Sequence, residues 1–366
     1  VSLARPPQRV AAVDALRALA LLPVVLVNWV GYPALPDMGP LTAPTPADSM
    51  AAQAVSWFLH ALVAGKGIAL LAFLFGYSQG LSQDRGEAGL AHRRRRLGKL
   101  LLLGILHGTL LYMGDILTLY AVAGSVLAMW SAHSLAQLKV RAYVLVLLQL
   151  AVVALTVVLS HLPLTGEPSV PLSAPTTWAA WTLSNAGHFL STTIAFVLLG
   201  LPTPLLLMTA GLMAARLRLF SHPRWEPALR RWSRRWFWPA VAVNVAFTSL
   251  LWPGLRDGDS FIGGCYAIYY LYPTVLLLSA AVPMLVNRMR HDTRLLNALA
   301  PLGRHTLTLY LMSSVASFAL FSGAGLAWQP STVVVTGLAL AYWGTGVILA
   351  HALGPKRLPL ERWLSR

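Results

Sequence analysis

The sequence predicts an all-α, polytopic integral membrane protein, a helical bundle of about ten transmembrane helices. Three observations predict it. Only 11% of the 366 residues are charged and 57% are apolar, whereas soluble domains carry about 25% charged residues, so most of the surface faces something other than water. Apolar stretches near the ~20 residues of a crossing recur along the whole chain. The cations gather in every second gap between those stretches, the pattern of the positive-inside rule.

In order, the stretches lie near 14–34, 54–80, 97–113, 115–132, 141–162, 188–215, 236–253, 261–286, 304–323 and 331–351. The third, fourth and seventh are short or carry polar residues. What remains between them is too short for a separate soluble unit, so residues 1–366 read as a single integral-membrane domain. Arg5 and Arg9 precede the first stretch; Arg85 and Arg93 to Arg96 separate the second from the third; Lys139 and Arg141 stand before the fifth. Further cations lie at 216–235, at Arg288, Arg290 and Arg294, and in the tail at Lys356, Arg357, Arg362 and Arg366. The intervening loops 35–53, 163–187, 254–260 and 324–330 contain Arg256 and no other Lys or Arg. Both termini are therefore expected in the cytoplasm.

The same numbers exclude other classes. Disordered chains are polar and charge-rich, which this one is not. A net charge of +16, from 28 Lys and Arg against 12 Asp and Glu, would suggest nucleic acid if it formed one soluble face, but it is divided among alternate loops. Cys265 is the lone cysteine, so neither a disulfide framework nor a Cys-based zinc site is expected. Asp14 and Arg17 in the first stretch argue against a cleaved signal peptide. The loop 35–53 is rich in proline and reads as turns and extended chain.

Ionisable groups in the bilayer core are costly and mark candidate functional sites. Asn28, His60 and His107 each lie about two turns from the outer end of their stretch, and Asp115 opens the fourth directly after Gly114. At about 1.5 Å per residue the four share a depth in the outer leaflet. A neutral His is the default general base near neutral pH, and a carboxylate orients it through its other nitrogen. Asn28 is a candidate donor to an oxyanion. His107 with Asp115 and Asn28 thus describe acyl transfer. The plainer readings are a helix-interface hydrogen bond for Asn28 and a packing role for His60. No metal is favoured, since two His and one Asp lack a diagnostic spacing.

Lys66, between Gly65 and Gly67 near the centre of the second stretch, either lines a polar passage or pairs with a buried carboxylate. Asp14 and Arg17, at i and i+3, are expected to pair. The run His92 to Arg96 is either an orientation signal beside anionic lipid or a source of phosphate-binding forks. Gly303-Arg304 at a helix start is a similar anion candidate. Trp225, Trp232, Trp236 and Trp238 among basic residues read as an interfacial anchor.

Four segments resemble the YeiB-like family of bacterial membrane proteins. They are Val13-Asp14-Ala15-Leu16-Arg17 running to Val27-Asn28, and Gly65-Lys66 followed by Phe73-Leu74-Phe75-Gly76-Tyr77. The third is Arg95-Arg96-Leu97 through Gly104 and His107 to Gly114-Asp115-Ile116-Leu117 and Tyr120-Ala121. The fourth is Gly303-Arg304-His305-Thr306-Leu307-Thr308-Leu309-Tyr310-Leu311, with Ser313 or Ser314 beyond and Pro359-Leu360-Glu361 near the C-terminus. The match covers 14–121 and 300–366; Ala18 replaces a glycine that the family usually carries. That family looks related to the transmembrane acyltransferase superfamily, which includes heparan-alpha-glucosaminide N-acetyltransferase. Those relatives place an active His after the Asn; His60 is the nearest here, since 29–59 contains none.

The resemblance implies a multi-pass enzyme of the bacterial cytoplasmic (inner) membrane. It would move an acyl group, acetyl above all, from cytoplasmic acyl-CoA to a hydroxyl or amine of a small-molecule, glycan or lipid acceptor near the outer leaflet. Arg17, Arg95, Arg96 and Arg304 would contact the donor, with Lys66 midway along its path. The lipid bilayer is the expected partner, nucleic acid is not, and a homodimer is left open. The competing class is a transporter of a small metabolite or lipid through the same polar path. A non-catalytic lipid-binding protein ranks third, because it leaves the outer-leaflet groups without a role.

Overall fold

The computed structural model describes residues 11–32, 49–81, 86–160, 177–256, 271–354 and 356–365. Arg5, Arg9, Arg85, Cys265, Arg366, most of the proline-rich loop and residues 261–270 of the eighth stretch lie outside them. The described residues are helical with short turns. In chain order the helices are α1 (Ala11–Gly31), α2 (Met50–Leu62), α3 (Lys66–Leu81), α4 (Gly86–Leu110), α5 (Leu117–Met129), α6 (Leu135–Ser160) and α7 (Trp178–Ala195). After a π-helical turn at Phe196–Gly200 come α8 (Pro202–Arg216), α9 (Glu226–Arg256), α10 (Leu271–His291), α11 (Thr293–Gly303), α12 (Thr306–Phe321), α13 (Thr332–Leu353) and α14 (Pro359–Ser365).

Among the described residues seven helical stretches are long and apolar enough to cross a membrane. These are Ala11–Gly31, Met50–Leu81, Leu135–Leu155, Trp178–Gly200, Pro223–Arg256, Leu271–His291 and Thr332–Leu353. The remaining three expected crossings differ for a physical reason. Helix α4 begins at Gly86 and carries the four arginines Arg93 to Arg96 in its first half, and α5 and α12 have only 13 and 16 residues. At about 1.5 Å per residue those two reach roughly 20–24 Å, short of a ~30 Å hydrocarbon core.

Local chemistry explains the breaks. Ser49 caps α2 by accepting the Ala52 amide at 3.1 Å. Gly65, with φ 75°, takes the left-handed conformation that ends α2 and lets α3 start at Lys66, a conformation that costs a side-chain-bearing residue about 1–2 kcal/mol. Asp292 caps α11 through the Arg294 amide.

Packing is through small residues. The α3–α8 interface is the most extensive between helices; a methyl group at Gly76 would lie 1.9 Å from the Met208 carbonyl oxygen, and one at Gly211 2.0 Å from that of Phe73. Backbone contact of this kind drives helix association where there is no hydrophobic effect to use. Helix α1 is central and mostly buried, touching α3, α11, α12 and α13. Gly303 rests on the Asp14 backbone, and the Trp343 indole donates to Ala18 O at 3.0 Å. By contrast α6 exposes Val140, Tyr143, Val144, Leu147, Leu148, Leu150 and Leu155, an apolar face suited to lipid rather than water.

The basic termini meet at one end of the bundle. Arg17 on α1 bonds Ser78 at the end of α3, and Arg216 at the end of α8 donates to the Ser131 and His133 carbonyls before α6. Arg290 pairs with Glu226 at 3.0 Å, joining α10 to α9. Glu361 of α14 accepts the Thr308 amide and hydroxyl at the start of α12, while Lys99 of α4 donates to Trp363 O.

Candidate functional site

Toward the opposite end of α4, away from the arginines, three polar side chains form one chain of hydrogen bonds. The His107 Nδ1 lies 2.8 Å from Asp115 Oδ1, and its Nε2 lies 2.8 Å from Ser314 Oγ. A carboxylate only accepts, so Nδ1 carries the proton, and in the neutral ring Nε2 accepts from the Ser314 hydroxyl. The His107 and Asp115 side chains are 1% and 0% exposed, and Ser314 is 3% exposed. This is the serine–imidazole–carboxylate order of a nucleophilic relay.

The sequence builds the site by close approach. Gly104 stands one turn before His107 on the same face. A methyl group there would come within 2.5 Å of the Thr118 amide and 2.8 Å of Asp115 Oδ2. Its absence lets α5 and the turn press onto α4. Asp115 Oδ2 accepts the Thr118 amide at 2.7 Å in the first turn of α5, so both carboxylate oxygens are committed and the carboxylate cannot swing. Past His107, the final carbonyls of α4 are capped from α7: Asn185 donates to Gly108 O at 2.7 Å and Thr109 O at 2.9 Å. Tyr32 of the first helical segment donates to Leu111 O at 2.9 Å.

Aromatic rings close the site. The Tyr310 ring centroid is 5.0 Å from that of His107, and the Tyr112 ring is 6.3 Å away. The Tyr112 hydroxyl is buried with no hydrogen-bond partner among the described residues. The Trp29 indole donates to Ser313 O at 3.1 Å and so ties α1 to α12 beside Ser314.

The other expected residues are distributed differently from a single cluster. Asn28 is buried on α1 but makes no hydrogen bond with His107, Asp115 or Ser314. His60 donates from Nδ1 to Ser56 O at 2.8 Å, and its ring lies 5.7 Å from Trp252 on α9. Depth put these two with His107, and neither takes part in the hydrogen bonds of His107, Asp115 and Ser314. Lys66 is buried at the start of α3 and forms no ion pair with a described carboxylate.

At the basic end Arg17 pairs with Asp14 at 3.0 Å. Arg95 is exposed, the Arg96 guanidinium sits 5.9 Å from the Phe75 ring centre, and Arg304 is half-buried with Nε lacking a hydrogen-bond partner among the described residues. Arg93, passed over in favour of its neighbours, is the buried member of the run. Its Nε and Nη1 have no hydrogen-bond partner among the described residues, and burial pushes its guanidinium below the usual arginine range. Ser314 is the other residue missed as a site. Its signal was the cluster Ser313, Ser314 and Ser317 in an otherwise apolar helix, all three buried. Among the described residues no three His, Cys, Asp or Glu side chains gather as a metal-binding set.

Comparison with known proteins reaches the second half of the chain. Residues 214–354, which include Arg304 and Ser314, match a family described as "Protein of unknown function (DUF418)", a YeiB-like family. The chain is 32% identical over 136 residues to "Uncharacterized protein YxaH" of Bacillus subtilis (strain 168), covering 34% of this chain and 33% of that protein. It is 33% identical over 121 residues to "Uncharacterized 39.9 kDa protein in amylase 3'region" of Bacillus acidopullulyticus, covering 32% of each. The matches thus span about a third of the length of these relatives, and the sequence similarity is to a family whose activity carries no assignment.

Proposed function

We propose that the protein is a multi-pass acyltransferase of the bacterial cytoplasmic membrane, in which His107 is the general base and Asp115 orients it. The observation that carries this reading is the dry, fully bonded sequence Asp115–His107–Ser314, with both links at 2.8 Å. An imidazole already accepting from one hydroxyl is arranged to take the proton of an attacking hydroxyl or amine. The donor would be acyl-CoA, acetyl-CoA first, with its phosphates at the basic end, where Arg304 and the buried Arg93 have guanidinium nitrogens without partners among the described residues. Asn28 is the donor first expected for the oxyanion; Tyr112, whose ring lies 6.3 Å from the imidazole and whose hydroxyl has no partner among the described residues, is a second candidate.

In this reading about ten helices cross the bilayer, both termini are cytoplasmic, and α4, α5 and α12 are crossings shortened by their place inside the bundle. The acceptor is a hydroxyl or amine of a small molecule, glycan or lipid presented near the outer face.

A transporter reading has one observation in its favour. The candidate crossing Met50–Leu81 is interrupted at Val63–Gly65, the crossing Trp178–Gly200 ends in a π-helical turn, and the helices that follow, α3 and α8, pack on each other. Interrupted helices build midplane binding sites in carriers.

The test is to supply labelled acetyl-CoA to the purified protein in proteoliposomes made with bacterial lipid extract and to follow label into non-protein product. His107→Ala should lower transfer by about 10²–10⁴-fold while the protein still inserts and melts cooperatively. Full transfer in that variant removes His107 from the mechanism. Flux of solute without covalent modification replaces the enzyme reading with the carrier.

A further inference from the structure

We infer that Ser314 is a covalent nucleophile that carries the acyl group between donor and acceptor; this rests on the acyl-transfer reading and deepens it. This hydroxyl is used differently from its neighbours. A Ser or Thr inside a helix ordinarily donates back to the carbonyl three or four residues before it. That is what Ser313 does to Tyr310 O, Ser317 to Ser314 O, Ser78 to Leu74 O, Ser125 to Ala121 O, Thr209 to Leu205 O and Thr336 to Thr332 O. Ser314 instead directs its Oγ across the bundle to His107 Nε2, 207 positions away in sequence.

A purely structural hydroxyl would need no oriented base, yet here the far side of the imidazole is held by Asp115, which is itself held by the Thr118 amide. The burial of His107 and Asp115 excludes water, which protects an ester from hydrolysis. The Tyr112 hydroxyl, buried and without a partner among the described residues on a ring 6.3 Å from the imidazole, is the candidate donor to the developing oxyanion.

Ser314 Oγ attacks the thioester carbonyl of acyl-CoA as His107 Nε2 takes the hydroxyl proton. The carbon–sulfur bond then breaks, and the proton passes from the imidazolium to the departing CoA thiolate. In the second half, an acceptor hydroxyl or amine attacks the Ser314 ester while His107 takes its proton. The carbon–Oγ bond breaks, and the proton returns to Ser314.

Two readouts test this on the full chain in nanodiscs without acceptor. Acetyl-CoA should leave one acetyl group on the Ser314 peptide by mass spectrometry, and the protein should catalyse exchange of label between CoA and acetyl-CoA. A fluorophosphonate probe, which needs no CoA, should label Ser314 in the wild type and about 10²-fold more slowly in His107→Ala. Ser314→Ala should abolish both signals; Ser314→Cys, which keeps a nucleophile, should trap the acetyl group as a thioester cleaved by neutral hydroxylamine. If Ser314→Ala transfers acetyl groups at the wild-type rate while His107→Ala does not, transfer is direct: the covalent step is overturned and the acyltransferase reading stands. If the wild type shows neither acetylation, exchange, transfer nor probe labelling, both fall. Probe labelling without reaction with acetyl-CoA keeps the nucleophile and overturns acyl-CoA as its donor.

Discussion

The two ends of α4 hold polar groups in opposite ways. At the basic end, four consecutive arginines share one helix; Arg94 and Arg95 are exposed, Arg96 lies against an aromatic ring, and Arg93 is buried with two nitrogens unpaired. Toward the other end, His107 has both ring nitrogens engaged and its partner carboxylate has both oxygens engaged. Charge density therefore says little about where structure has been committed. A cation at the water edge can be solvated and exchanged at small cost, whereas each buried hydrogen-bonding group near His107 is costly to strand.

The contrast can be broken by substitution. Asp115→Ala should have the largest effect: it strands the His107 Nδ1–H and the Thr118 amide, each at about 1–3 kcal/mol, and removes the orientation of the base. Melting temperature in nanodiscs should fall, and acetyl transfer should drop by about 10²–10⁴-fold. An unchanged melting point would mean that the relay is not a structural element at all.

Gly104→Ala comes next. The added methyl meets the Thr118 amide and hydroxyl at 2.5 Å, and overpacking of this kind costs about 1–3 kcal/mol. The variant should also lose transfer activity, because the shift separates α5 from α4 at Asp115. Stability lost with activity intact would detach the α4–α5 approach from the site.

Arg93→Met should act in the reverse direction. Removing a buried cation with unpaired nitrogens should leave the unliganded protein as stable or more stable, by on the order of 1 kcal/mol. Stabilisation by CoA, read as a thermal shift, should shrink. A variant that is strongly destabilised would show that Arg93 has a structural partner. Arg95→Ala, at the exposed position beside it, should change stability by less than about 0.5 kcal/mol, and a larger loss would erase the distinction between the two positions.

Much of the fold was legible because apolar length and loop charge are properties of the linear chain. Each expected apolar stretch with described residues contains helix, and Asp14 and Arg17 pair as their spacing implies. The missed features share a cause. Gly65 and Gly67 are visible on either side of Lys66 in the sequence, but that α2 ends there follows from the left-handed Gly65. The amphipathic helix α11 had no separate expectation, because its 11 residues, with Pro301 in the last turn, are too few for a crossing. Its role emerges from Gly303 resting on the Asp14 backbone of α1.

The candidate site was half legible. His107 and Asp115 are eight positions apart across a tight turn, so their meeting needed only local geometry. Asn28 and His60 were grouped with them by depth, which the 1.5 Å rise per residue supplies without any knowledge of rotation. Neither joins the relay. Ser314 does, from another helix.

Sequence alone thus determined that the chain forms apolar helices, which of their ends are basic, how far along each helix a polar residue stands, and that His107 and Asp115 can meet. Tertiary structure decided which faces turn toward one another: that α3 seats on α8 through Gly76 and Gly211, that Arg93 rather than Arg95 is buried, and that the hydroxyl completing the relay is Ser314. The physical reason is that rise along a helix is set by the backbone, while rotation about the axis and choice of neighbour are set by packing between side chains far apart in the chain.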